Sequence, residues 1–162
     1  MAWEQREEQS FRDKSDWERG EWDEEPDRVE WRHNGRPCLI VRNNSGALCG
    51  YAAVSEGHPM FGKEDRGTLD CHGGVTYNDF CVEGGHICHV PKPGEPDRVW
   101  WFGFDCAHSG DYSAMSYPEE MRRRYMRNEQ WESYRPIGYV RHGVEKMAEQ
   151  LDRIELGEPE EE

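Results

Sequence analysis

From residue 29 onward, short apolar runs broken by turn residues set the pattern of the chain. Val29-Glu30-Trp31 and Pro37-Cys-Leu-Ile-Val-Arg42 read as strands separated by a turn at His33-Asn34-Gly35. Asn43-Asn-Ser-Gly46 is the next turn signal, and Ala47 to Val54 follows as a buried strand, so the three form a meander. Gly57 to Gly67 carries three glycines and a proline and predicts a surface loop. Thr68 to Tyr77 predicts a strand interrupted at Gly73-Gly74, where the backbone needs unusual angles or a ligand needs close approach. Asn78 to Arg98 reads as a second long loop, of the kind that usually has a functional or structural reason. Val99-Trp-Trp-Phe-Gly-Phe104 is apolar on both faces, as expected of a strand inside a sheet.

Helical signals come late. Pro118-Glu-Glu-Met-Arg-Arg-Arg-Tyr-Met126 has proline and acidic residues where a helix begins. Tyr139 to Ile154 places Val140, Val144, Met147, Ala148, Leu151 and Ile154 on one helical face. The predicted architecture is α+β, a mostly antiparallel sheet with long Gly/Pro-rich loops and C-terminal helices packed on it. Residues 1–26 lack any sustained apolar stripe and read as an acidic, tryptophan-bearing extension, whose Trp3, Trp17 and Trp22 are expected to dock on the domain. Residues 27–156 form the domain and 157–162 an acidic tail.

Composition sharpens this picture. A chain of 162 residues suits one domain with a real core. Its 33% charged residues lean toward disorder, but 12% aromatics argue for a folded centre with solvated ends. No apolar run is long enough to span a bilayer, and the first residues lack the apolar stretch of a secretory signal, so a cytoplasmic location is expected. The net charge of -14 is spread along the chain and repels a phosphate backbone, which disfavours duplex DNA as a partner. The basic run Arg122-Arg123-Arg124, with Arg127, is diluted by nearby glutamates.

Six cysteines without a secretion signal are expected to be thiols, with a disulfide framework the weaker reading. Four of them, Cys71, Cys81, Cys88 and Cys106, crowd into one stretch with His72, His86, His89 and His108.

The ordered motifs Cys71-His-Gly-Gly-Val-Thr-Tyr77 and Trp100-Trp-Phe-Gly-Phe-Asp-Cys-Ala-His-Ser-Gly-Asp111 resemble those of a family of small bacteriophage and prophage proteins of unknown function. Gly57-His-Pro and Ile87-Cys-His-Val-Pro-Lys-Pro-Gly-Glu-Pro-Asp97 add to the likeness, which extends over residues 27–155. The resemblance implies a phage-encoded accessory protein of the host cytoplasm, in a class that acts on nucleic acid metabolism or against host defence. It implies no reaction.

Two constellations carry candidate chemistry. Asp105, His108 and Asp111 follow the central strand, with Asp105 expected on the face of Trp101 and Gly103. Oxygen and imidazole ligands suit Mg, Mn or Zn, and the bound ion could activate water. His72 is the expected partner, and the four residues could equally form a metal-free acid-base set. The bland alternative is that the two aspartates cap turns while His108 packs. Gly73 and Gly74 could admit a phosphate and Trp101 could stack a base. His58 is a more distant candidate. In the second constellation, Cys81, His86, Cys88 and His89, with Cys71 and Cys106 as possible completions, offer the thiolate and imidazole donors of a zinc site. Buried free thiols compete with that reading. The functions in view are a metal-dependent hydrolase of a nucleotide or phosphodiester, a non-enzymatic anti-defence protein that sequesters a nucleotide-like signal or binds a host protein, and an adaptor acting through its N-terminal extension.

Overall fold

The computed structural model describes residues 4–15, 17, 19–82, 85–107 and 134–157. The helix expected from Pro118, the Arg122–Arg127 cluster, His108 and Asp111 lie outside the described residues.

Six antiparallel strands form one sheet. They are β1 (Glu4–Gln9), β2 (Arg28–His33), β3 (Arg36–Arg42), β4 (Leu48–Ser55), β5 (Tyr77–Phe80) and β6 (Val99–Asp105), in the spatial order β1-β2-β3-β4-β6-β5. A single described α-helix, α1 (Ile137–Glu155), packs on one face, so the α+β architecture holds. The β2–β3 hairpin turns on Asn34 and Gly35, both with positive φ (53° and 81°), as a two-residue turn matched to strand twist requires.

Three expectations change. The extension supplies an edge strand, because β1 pairs with β2 from Glu4↔Arg32 to Gln9↔Arg28 across a bulge. Thr68–Thr76 does not extend as a strand, since Gly73 and Gly74 adopt φ of 69° and 83° and Gly74 N–H closes a turn on the Cys71 carbonyl. The strand instead begins at Tyr77 and takes in Asn78–Phe80, which the sequence pattern assigns to a loop.

Both faces of the sheet are covered, and this is why β4 is buried along almost its whole length. On the helix side, Val29, Trp31, Ile40, Leu48, Ala52, Val54, Phe102 and Phe104 meet Val140, Val144, Met147, Ala148 and Leu151 of α1. At Gly50 the helix sits so close that a Cβ would come within 2.5 Å of Val144 and 2.7 Å of the Phe104 ring. On the second side, Leu39, Val41, Tyr51, Ala53, Val99 and Trp101 are covered by Phe11 and by the loop through Cys81 and Ile87.

Two buried ionic networks hold the coverings in place. Asp27 and Arg42 are fully buried and joined at 2.7 Å. Asp27 also accepts the backbone N–H groups of Phe11 and Arg12 and the Lys14 ammonium. Arg42 donates to the Gly46 carbonyl and Tyr134. Glu25, bonded to Tyr134, accepts the Ile137 N–H and so caps α1. The second network lies on β2, where Arg28, Glu30 and Arg32 point away from the helix and are buried under residues 86–95. Arg28 donates to the carbonyls of His86 and Cys88, Arg32 to that of Val90, and Glu30 accepts the Val90 N–H. Arg32 also grips Glu95 in two bonds of 2.8 and 2.9 Å, and this guanidinium holds the Glu95 carboxyl down at about 2.

Candidate metal centre

Cys81 follows β5 directly, and Cys88 and His89 lie in the loop clamped to β2. Between the cysteines the chain doubles back, with the Val82 N–H donating to the Ile87 carbonyl at 3.0 Å. That turn brings the Cα atoms of Cys81 and Cys88 to 4.7 Å, and the two sulfurs are bonded. The expectation of thiols throughout is corrected at this pair by the turn. Cys38, Cys49 and Cys71 remain thiols.

The sulfurs of Cys81 and Cys88 and one ring nitrogen of His89 lie within 4.8 Å of one another. Tetrahedral zinc with Zn–S of about 2.3 Å and Zn–N of about 2.0–2.1 Å sets its ligands roughly 3.5–3.8 Å apart, so the three donors need only modest adjustment. His89 is 5% exposed. Its Nε2 lies 3.2 Å from the Pro96 carbonyl, so it carries the proton, while Nδ1 is buried with no hydrogen-bond partner among the described residues. A ring with one N–H fixed on a carbonyl and a bare lone pair on the other nitrogen is how a histidine ligand is prepared. Burial also lowers the His89 pKa, which keeps the imidazole neutral and able to coordinate, against the opposing bond to Pro96.

The surroundings fit thiolate chemistry. The Trp101 indole N–H points at the Cys81 sulfur at 3.3 Å, a bond that stabilises charge on sulfur. Cys81 also lines a surface cavity of about 260 Å³ with Phe80, Asp97, Arg98 and Val99, which gives small molecules an approach. His86 does not join the cluster, since its ring stacks on Phe11 at 4.0 Å.

The other expected site residues have different surroundings. Asp105 does share the face of Trp101 and Gly103, being paired with Cys49 of β4. Its carboxylate accepts the Thr76 hydroxyl at 3.1 Å and the Ala107 N–H at 3.0 Å, the contacts of a turn cap. His72 is bonded to Tyr139 of α1 at 2.8 Å. Gly73 and Gly74 serve the turn before β5. Trp101 is fully buried, so its ring belongs to the core of the second face and offers no open wall for a base. His58 is structural, spanning from the Met60 N–H to the Leu151 carbonyl. Sequence reasoning missed the Arg28, Glu30, Arg32 and Glu95 clamp, whose only trace in sequence is charge alternating with Val29 and Trp31 on β2.

No family model matches this chain, and neither does any curated protein or solved structure.

Proposed function

We propose that this protein is a metal-binding accessory protein whose reduced Cys81, Cys88 and His89 take up one zinc-type ion. The observation that carries the reading is the gathering of two sulfurs and one His89 ring nitrogen within 4.8 Å of one another, on a buried ring whose Nδ1 has no partner among the described residues. A buried acceptor without a partner is costly, and a soft divalent ion satisfies it together with both thiolates. The loop that carries two of the donors is held through its backbone by Arg28, Arg32 and Glu30, so the ligands are gathered before any ion arrives. The acidic charge of the chain favours cations over nucleotide anions.

The binding role rests on donors that lie together among the described residues, whereas His108 and Asp111 of the hydrolytic set lie outside them. Cobalt(II) substitution tests the proposal. The chain, reduced with a phosphine, should bind one equivalent and give the intense visible bands of a tetrahedral thiolate site. Cys88→Ser and His89→Ala should each weaken binding by about 10-fold or more while keeping the native circular dichroism. Octahedral-type spectra, or full binding in both variants, would contradict it.

A further inference from the structure

We infer that the Cys81 and Cys88 sulfurs exchange between two states, zinc-bound thiolates and a disulfide, so that oxidation expels the metal and reduction restores its site; this rests on the metal reading above. The geometry points to the exchange because one frame serves both states. The disulfide is already formed between residues whose Cα atoms are 4.7 Å apart, and the same sulfurs lie within 4.8 Å of the His89 nitrogen. The clamp on the His86, Cys88 and Val90 backbone involves neither sulfur, so it survives either change. In the bonded state His89 Nδ1 has no partner among the described residues, and a metal ion held by that ring would give the histidine one.

Oxidation is directed to this pair because its two sulfurs already lie within bonding reach of each other. Cys38 and Cys49 are buried, and burial pushes the thiols of Cys49 and Cys71 up to about 12. Cys81 and Cys88 are only half-buried, and Cys81 lines the surface cavity beside Arg98 and Asp97.

The oxidant is a peroxide. One thiolate attacks a peroxide oxygen, the O–O bond breaks, and the departing hydroxide takes a proton from solvent to leave water and a sulfenic acid. The other thiolate attacks that sulfur, the S–O bond breaks, and the second hydroxide leaves as water with a second proton. The sulfurs lose two electrons and the peroxide gains them. Zinc keeps its oxidation state and exchanges both thiolates for water. A dithiol reductant returns two electrons and reopens the site.

The test uses the full chain, reduced and loaded with zinc, then treated with one equivalent of hydrogen peroxide while a chromogenic chelator reports free zinc and intact mass reports disulfide. The expected result is one zinc released per disulfide formed at Cys81–Cys88, reversed by a dithiol. His89→Ala should form the disulfide yet retain at least about 10-fold less zinc when reduced. Should the reduced wild type take up no zinc, the metal reading fails and the exchange with it. If zinc binds but stays through oxidation, or oxygen adds to Cys71 instead, the exchange alone is overturned.

Discussion

Asp27 and Arg42 are both fully buried, and each is bonded on every side that the described residues reach. Burial raises the Asp27 pKa, but the N–H groups of Arg12 and Phe11, with Lys14 and Arg42, outweigh it and leave the carboxyl below its usual value. A folded pKa lower than the unfolded value of about 3.9 contributes stability that is complete above that value and is lost as pH falls through the folded pKa. Asp27→Asn should therefore cost about 3–5 kcal/mol at neutral pH, read as a lower urea midpoint, and the gap to wild type should narrow below about pH 4. A pH-independent gap would show that the loss comes from shape and not from charge. At this scale the sequence said little. Asp27 looked like one more acid in an acidic stretch, and nothing in the spacing marked His89 as the histidine with an empty lone pair, because Pro96 sets that orientation through the fold. Asp105 was legible as to face, and its partners Thr76 and Ala107 became visible only with the turn closed.

Among the elements, the meander β2–β3–β4 and the closing helix were legible because each carries its own period and turn signals, Asn34-Gly35 and the Val140-to-Leu151 stripe among them. The strands β1 and β5 were not. β1 is polar throughout, and a strand of that kind is defined by its ladder to β2, not by a buried face of its own. β5 is four residues long, and its start is set by the Gly73-Gly74 turn. Charges on β2 alternate with Val29 and Trp31 as if one face met water, yet that face is roofed by residues some 60 positions away, such as Val90 and Cys88. Arg32→Met removes the grip on Glu95 and Val90. With charged hydrogen bonds worth about 1.5–3 kcal/mol, the loop should open on the order of 10-fold more often, seen as faster hydrogen exchange of the Val90 N–H, which is bonded to Glu30, and faster zinc loss. An unchanged exchange rate would mean that the roof is held elsewhere. On the other face, Gly50→Ala forces Val144 and Phe104 aside and should cost about 1–3 kcal/mol, whereas Gly57→Ala meets open space and pays only for its positive φ.

At the scale of the whole molecule, the sheet is a partition with a helix on one side and a clamped, cysteine-bearing loop on the other. The N-terminal segment crosses to the second side, where Phe11 stacks on His86 and packs against the apolar cluster. Removing residues 1–14 should therefore lower stability, by stripping the Lys14, Arg12 and Phe11 donors from buried Asp27, in contrast to the clean loss of a detachable arm; a truncated chain with the wild-type melting temperature would contradict that. No described helix is long and apolar enough to cross a membrane. The proposed metal site would draw on every level of this arrangement: an imidazole oriented by Pro96, a loop held by β2, and an acidic molecule that attracts cations.

The central claim is that Cys81, Cys88 and His89 form a metal centre when reduced. Native mass spectrometry of the full chain, reduced, exposed to zinc and exchanged into volatile buffer, tests it directly. The account predicts one zinc per chain in the wild type, little in His89→Ala, and none once the Cys81–Cys88 disulfide is closed. A reduced wild-type chain that emerges without zinc, or a His89→Ala chain that holds it as firmly, would contradict the account.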